Sequence, residues 1–116
     1  MALAKPAADY AAVQTWRSGL AEQWGEDPAD FADRVKQLER FCRYVDRDPD
    51  AVIEDCTREV ESGKRIRIKA RREYSEKIAE FQTSTGGDAR TQGRLGNTIR
   101  SFFIHNGIFM QAGLAE

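Results

Sequence analysis

The densest group of residues with a recognisable chemistry is cationic. Six of the nine residues in the segment 64–72 are Lys or Arg, and such a density favours an anionic partner when the side chains share one surface. A second polar group follows in residues 90–100, where Arg, Gln, Asn and Thr alternate with apolar residues. The predicted DNA-binding residues in the two segments are Lys64, Arg65, Arg67, Lys69, Arg71, Arg72, Arg90, Thr91, Gln92, Arg94, Asn97 and Arg100.

These residue types suit duplex DNA. Arg can bridge a guanine edge with two hydrogen bonds, Asn and Gln can do the same for adenine, and Lys, Thr or a helix N-terminus can hold phosphates. We therefore expect double-stranded DNA as the partner, with phosphate neutralisation by residues 64–72 and base-edge or phosphate contacts from residues 90–100. The alternative interpretation of the first segment alone is a solvated helix face, balanced by Glu73, Glu76 and Glu80.

Charge is unevenly distributed along the 116-residue chain. Residues 1–61 contain 8 cationic and 14 acidic side chains, a net charge of −6, whereas residues 62–116 contain 10 and 5, a net charge of +5. The overall net charge of −1 hides this division. The main alternative function is therefore a helical protein-interaction module, whose basic C-terminal half docks on an acidic partner or on the acidic half of another copy.

Residues with catalytic or metal-ligating potential are few. His105 is the only histidine and follows a pair of phenylalanines, which favours a cap or a core-edge position. Cys42 and Cys56 fall on apolar stripes with no histidine nearby, which favours buried, inert thiols. The glycines lack the flanking strand and the Lys-Ser/Thr pair of a phosphate-binding loop. We predict no enzymatic activity, no metal and no cofactor; a small helical enzyme or cofactor carrier is the weakest alternative.

The composition is typical of one soluble domain. No apolar run reaches the roughly 18 residues that a membrane span needs, and the first residues do not resemble a secretion signal. Two cysteines without a second pair indicate reduced thiols rather than a disulfide framework. We therefore predict a cytoplasmic protein with no membrane contact, folded as a single domain over residues 1–116 with an ordered core at about 7–110.

Apolar residues recur at spacings of three and four along most of the chain, which predicts an all-α, compact bundle of about five helices. The alternation in residues 65–69 could form a short strand, but the stripe that continues from Ile66 to Phe81 favours a helix. The helices are predicted at about 7–24, from Asp27-Pro28 to about 44–46, from Asp48-Pro49 through Val60 to Gly63, at 64–83, and from Asp88 or Thr91 to Gly107.

The last predicted helix carries the clearest division between inward and outward residues. Phe102 falls on its apolar stripe, whereas Arg94 and Arg100 are expected to be exposed. Gly93 and Gly96 each lower helical preference, which suggests the close approach of a neighbouring helix or of a partner's backbone. After Gly107, the apolar residues 108–110 are expected to fold back on the core.

Several motifs follow one another along the chain in a recognisable order. They are Asp27-Pro28-Ala29-Asp30, Leu38-Glu39-Arg40-Phe41-Cys42-Arg43-Tyr44-Val45, Asp48-Pro49-Asp50-Ala51-Val52, Thr91, Arg94, Ile99-Arg100-Ser101-Phe102-Phe103 and Gly107-Ile108. Over about residues 10–110, this order resembles the N-terminal core-binding domain, or SAM-like domain, of the tyrosine recombinases or phage integrases. The chain departs from the usual family pattern at Leu95-Gly96, where a basic residue normally precedes an aliphatic one.

The resemblance implies a SAM-like helical fold that grips a recombination site in mobile-element DNA integration, with its second and last helices near the major groove. It implies no strand cleavage, because the family's catalytic residues belong to a separate C-terminal domain. The expected partners are therefore duplex DNA, a C-terminal catalytic domain and other recombinase protomers. Either an excised domain of a larger recombinase or a stand-alone relative without cleavage activity would fit.

Overall fold

The computed structural model describes residues 3–61 and 63–110, and the rest of the predicted domain, residues 1–2, 62 and 111–116, lies outside that range. Within it, the prediction of a compact, mostly helical protein with five α-helices is confirmed, but a two-stranded antiparallel sheet is present that an all-α fold does not contain. The elements are a 3-10 turn at Ala7–Asp9, α1 at Ala11–Trp24, α2 at Phe31–Val45, α3 at Pro49–Asp55, β1 at Thr57–Val60, β2 at Gly63–Ile66, α4 at Ile68–Ser84 and α5 at Ala89–His105.

Most helix boundaries follow local sequence signals. Asp48 caps α3, its side chain accepting a hydrogen bond of 2.8 Å from the Ala51 N–H, and Pro49 supplies the first helical residue. Asp88, one of the two predicted caps, caps α5 in the same way through the Thr91 N–H. The predicted start of α2 at Asp27-Pro28 is wrong, because the helix begins at Phe31. Asp27 does not cap a helix, and its carboxylate instead pairs with the Arg17 guanidinium of α1 at 3.2 Å.

The segment between α3 and α4 differs most from the prediction. α3 ends at Asp55 instead of continuing to Val60, and residues 63–66 form a strand rather than the start of α4. Gly63 has a φ of +128°, a backbone conformation that is incompatible with a helix and that other residues rarely adopt. Ile66, expected on the inward stripe of α4, is 37% exposed. The predicted helix is therefore wrong over residues 64–67 and correct from Ile68, and only residues 65 and 66 of the alternating run lie in a strand.

α5 is the central helix and packs against α1, α2 and α4. Its Phe102 meets Trp16 of α1 edge-on, with ring centroids 5.5 Å apart, and its Phe103 meets Phe41 of α2 at 6.4 Å. The four rings are fully buried. Beyond α5, Ile108 and Met110 fold back on this core as predicted, whereas Phe109 does not and is 54% exposed.

α4 and α5 run antiparallel, as two cross-helix contacts show. Tyr74, near the start of α4, packs on Phe103 near the end of α5, and Gln82, near the end of α4, bonds to Arg100 further back along α5. At Gly96 a Cβ atom would overlap the side-chain oxygen of Gln82. The predicted approach of a neighbouring helix is therefore confirmed at Gly96 through a side chain of α4, whereas no neighbouring helix approaches Gly93, which faces open space.

Candidate nucleic-acid interface

The β1–β2 hairpin presents cations on an exposed two-stranded ribbon. Every residue of β2 is exposed, and Arg58 and Arg65 are directly opposed across the strands. Directly opposed side chains project to the same face and lie close together. Lys64 pairs in register with Glu59, without forming an ion pair among the described residues. The hairpin therefore holds two like charges side by side, an arrangement that costs stability in isolation.

The cationic surface continues from the hairpin into the first turns of α4. Arg67, Lys69 and Arg72 are exposed, whereas Arg71 is half-buried and its Nε has no hydrogen-bond partner among the described residues. We call the exposed set the hairpin cations. They are Arg58, Lys64, Arg65, Arg67, Lys69 and Arg72.

The hairpin cations form no ion pair among the described residues, although Glu59 lies opposite Lys64 on the ribbon. None of their side-chain nitrogens lies within 4.0 Å of a carboxylate oxygen in the part of the chain that the structure describes. By contrast, Arg17, Arg34, Arg43 and Arg47 all form such pairs in the acidic half of the protein. The positive charge of the hairpin is therefore available to a partner.

A polar cluster fixes the base of the hairpin. The Arg67 N–H donates to the Cys56 carbonyl at 2.7 Å, and an Arg67 guanidinium nitrogen donates to the Asp55 carbonyl at 3.3 Å. The Asp55 carboxylate accepts from Arg47 at 2.7 and 3.0 Å and from the Tyr74 hydroxyl at 2.5 Å. Burial is the main cause that raises the pKa of Tyr74, and its hydrogen bond to Asp55 raises this pKa further. The loop between α2 and α3, the end of α3 and α4 are thus tied together at the base of the hairpin.

The polar residues predicted on α5 lie at the surface, apart from the buried Arg100. Arg90, Thr91, Arg94 and Asn97 are exposed, as predicted, and Gln92 is half-buried with its amide donating to the Gly87 carbonyl at 3.2 Å. These residues do not form an unopposed positive patch. Arg94 and Asn97 line an open groove of about 490 Å³ that also contains two acidic side chains of the α2 start, Asp30 and Asp33.

Arg100 corrects the prediction that it would be exposed. It is only 7% exposed, and its guanidinium donates to the Gln82 side chain at 2.9 Å and to the Asn97 side chain at 3.1 Å. Burial lowers the pKa of this guanidinium. α5 turns Arg100 towards α4 because Gly96, one turn earlier, leaves space for the Gln82 acceptor. Arg100 is therefore part of the α4–α5 contact and is not available to DNA.

The two cationic segments lie at opposite ends of the α4–α5 pair, since the helices are antiparallel. α4 has 17 residues, and at 1.5 Å per residue its ends are roughly 25 Å apart. The two segments therefore do not form one compact patch. A straight duplex of about seven base pairs covers the same length, so one DNA molecule could still reach both ends.

Two further cations were missed in the sequence. Arg58 was assigned to a helix, and its pairing with Arg65 becomes visible only from the strand register. Arg40 of α2 lines an open groove of about 410 Å³ together with Thr91 and Arg94 of α5. No local signal in the sequence indicates which helix lies beside Arg40.

The remaining candidate groups occupy structural positions. Cys42 and Cys56 are buried, as predicted, and this burial raises the pKa of each thiol to about 12. His105 is half-buried in the last turn of α5, beside Gly19 of α1. No three His, Cys, Asp or Glu side chains in residues 3–61 and 63–110 are grouped to hold a metal ion. Over the same residues, no helix has the length and apolar character needed to cross a membrane.

Comparison with known proteins adds no relative. No protein-family model matches the chain, and no curated protein or solved structure is significantly similar to it. The resemblance to the recombinase core-binding domain therefore stays a prediction from the motifs quoted above.

Proposed function

We propose that this protein binds duplex DNA and that the hairpin cations are its main contact. The observation that most directly supports this proposal is the exposed Arg58–Arg65 pair, in which two like charges lie opposite each other on the ribbon. Neither residue has a carboxylate within ion-pair distance among the described residues. Such a pair is unfavourable without a counter-charge. The closely spaced phosphates of a duplex supply that counter-charge, and they release condensed counterions when Lys and Arg neutralise them.

The shape of the hairpin also supports this proposal. A two-stranded ribbon can enter the major or the minor groove of DNA. Both strands here are short, and β2 is exposed along its whole length, so the ribbon can approach a groove without disturbing the core. The α5 group has a secondary role in the proposal, since Arg94 shares its groove with Asp30 and Asp33. Phosphate contacts from Thr91, Arg94 and the missed Arg40 would then fix the orientation of the duplex.

The finer proposal is that the chain acts as the core-binding half of a tyrosine recombinase or integrase with a SAM-like fold. The resemblance of residues 99–103 and 107–108 to the family supports it. In this role the chain grips the recombination site and contributes no strand cleavage. The partners would be a C-terminal catalytic domain and other protomers bound to the same cytoplasmic DNA.

The primary test is a salt titration of binding to a duplex of mixed sequence, measured by fluorescence anisotropy. If five or six cations each displace a counterion, affinity should fall by roughly two to four powers of ten between about 50 and 200 mM salt. The absence of binding, or binding with no salt dependence, would contradict the proposal.

A variant locates the contact. Replacing Arg58, Arg65 and Lys69 together with Ala should weaken binding and reduce the salt slope by about three, because three phosphate contacts are lost. Arg17→Ala is the matched control, since Arg17 is an exposed cation that already pairs with Asp27 on the acidic side of the protein. Equal losses in both variants would show that the hairpin is not the contact.

One observation favours the alternative, a protein-interaction module. Acidic side chains surround the α1–α2 junction, and Glu22, Glu26 and Asp33 are exposed there without an ion-pair partner among the described residues. This surface could receive the hairpin of a second copy. Light scattering after size-exclusion chromatography distinguishes the two functions. Dimers that dissociate at high salt, together with the absence of duplex binding, would favour self-association.

A further inference from the structure

Two aliphatic side chains are exposed among the hairpin cations. Ile68, the first residue of α4, is 63% exposed, and Ile66, the last residue of β2, is 37% exposed. They flank Arg67 and line one open groove of about 370 Å³ together with Arg58, Arg65 and Lys69. A single exposed aliphatic residue is ordinary on a protein surface. Two such residues inside a cationic groove form a surface that is both apolar and positive.

This combination restricts the chemistry of the ligand. Cations alone would suit a free phosphate, and aliphatic side chains alone would suit an apolar peptide. A ligand that satisfies both must carry negative charge beside apolar surface at a spacing of a few ångströms. A DNA backbone with its sugars and bases meets this description, and proteins that bend DNA insert Ile, Leu, Met, Phe or Pro side chains between base pairs beside such cations.

We propose that Ile68, supported by Ile66, enters a base-pair step of bound duplex and bends it. This inference rests on the proposed DNA-binding function and extends it from phosphate contact to deformation of the duplex. Arg58, Arg65 and Lys69 hold the phosphates on either side of the opened step. The bend would bring further phosphates towards the protein, which offsets the loss of stacking.

The base of the groove is built to support an inserted side chain. Ile68 follows Arg67, whose backbone N–H is bonded to the Cys56 carbonyl at 2.7 Å and whose guanidinium reaches the Asp55 carbonyl. Asp55 is in turn held by Arg47 and by the Tyr74 hydroxyl. A wedge must transmit force to the protein core, and these bonds connect Ile68 to α3, to α4 and to the loop between α2 and α3.

An anionic membrane is the other surface that combines charge with apolar groups. Membrane-surface helices present an apolar stripe along several turns, whereas the turn of α4 that follows Ile68 exposes Lys69, Arg72 and Glu73. Two aliphatic side chains give little area for insertion into lipid. The observations therefore favour DNA, and membrane binding becomes an outcome of the test.

The test uses the full chain and a duplex of about 20 base pairs, roughly 70 Å long, with donor and acceptor dyes at its ends. Energy transfer should increase on binding, corresponding to a bend within the range of roughly 20–90° seen for wedge-forming proteins. Ile68→Ser should abolish most of this increase and weaken binding by about tenfold, the loss expected from one aliphatic contact. The salt slope should be unchanged, because no charge is removed.

Ile104→Ser is the matched control. Ile104 is also an exposed aliphatic residue, at 45%, but lies on α5 away from the hairpin groove. It should leave the bend and the affinity as in the native protein. Ile66→Ser should give an intermediate loss, and circular dichroism checks that all three variants remain folded.

The outcomes separate the bend from the binding. Salt-dependent binding without any change in energy transfer, or an Ile68→Ser variant that still bends DNA, would overturn the wedge and leave the DNA-binding function intact. No salt-dependent binding at all would overturn both. If Ile68→Ser instead reduces binding to phosphatidylserine vesicles while leaving duplex binding and bending unchanged, the groove is a membrane contact and the wedge is wrong.

Discussion

The last helix and the β-hairpin differ in what their side chains contact: those of the helix pack mainly in the core, whereas the cations of the hairpin face solvent. Residues 99–103 carry the most specific part of the family resemblance, yet Ile99, Phe102 and Phe103 are fully buried and Arg100 is bonded inside the protein. Ser101 accepts a hydrogen bond of 3.1 Å from the Trp16 indole. The hairpin carries no part of the resemblance, but it holds exposed cations that form no ion pair among the described residues. Likeness in residues 99–103 thus concerns packing rather than contact with DNA.

This difference has a simple energetic origin. A buried aromatic ring is fixed by the volume and the edge-on contacts around it, so its replacement changes stability. An exposed cation without an ion pair contributes little to the folded state. Substitutions in α5 should therefore affect unfolding first, whereas substitutions in the hairpin should affect DNA affinity and leave the fold nearly unchanged.

The largest expected effect is that of Phe102→Ala. The ring is fully buried between Trp16 and Phe103, and its removal leaves a cavity in the centre of the core. We expect a loss of about 3–5 kcal/mol in the free energy of unfolding, measured by urea denaturation. A loss below about 1 kcal/mol would mean that α5 does not pack against α1 as described.

Arg100→Ala should have the next largest effect. Its removal leaves the Gln82 and Asn97 side-chain oxygens without their buried donor, which should cost about 1–3 kcal/mol of stability. Arg94→Ala, in the exposed part of the same helix, should change stability by less than about 0.5 kcal/mol. Duplex affinity measured on the folded protein should fall for Arg94→Ala and stay the same for Arg100→Ala; the reverse pattern would place Arg100 in the interface.

The two glycines of α5 give a matched pair of smaller effects. Gly93→Ala meets open space and should stabilise the protein by about 0.5–1 kcal/mol through helical preference. Gly96→Ala displaces the Gln82 oxygen that accepts from Arg100. The buried Arg100 guanidinium then loses this acceptor, a loss that should exceed the gain in helical preference and leave a net cost of about 1 kcal/mol. Thermal denaturation of both variants tests the contact, and equal stabilisation would show that α4 and α5 are further apart.

Arg65→Glu should change stability by less than the substitutions in the core. The substitution converts the like-charged pair with Arg58 into an opposite-charged cross-strand pair, which should stabilise the hairpin by about 0.2–1 kcal/mol. DNA affinity should fall, because a phosphate contact becomes a repulsion. Arg65→Gln separates the two causes by removing the charge alone. A variant that is less stable and binds DNA as tightly as the native protein would contradict both the register and the proposed contact.

Local signals gave the helices and their caps correctly where a short stretch of chain decides the structure. Asp48 and Asp88 cap helices because a carboxylate three residues before an N–H needs no distant partner. The hairpin was missed because Ile66 satisfies both an alternating and a helical pattern. Which pattern prevails depends on the bond between Arg67 and Cys56 and on the conformation of Gly63, and neither is visible in a window of the sequence.

In the candidate site, too, some properties could be predicted from local sequence and others depend on distant residues. The exposure of Lys64, Arg65, Lys69 and Arg94 could be predicted, since a charged residue off the apolar stripe stays in water. The burial of Arg100 could not, because it requires the Gln82 amide from a second helix at hydrogen-bond distance. The separation of the two cationic segments also follows from the antiparallel packing of α4 and α5.

By itself, the amino-acid sequence determined the helical character of the chain, the aromatic side chains of its core and the surplus of positive charge in its C-terminal half. These properties depend on residue type and on spacing within a few turns. Only the tertiary structure decided which cations face solvent together, which one is buried as a packing contact, and that Arg58 stands opposite Arg65. These properties depend on distances between residues far apart in the chain, which hydrogen-bond geometry and close packing fix only when the whole molecule folds.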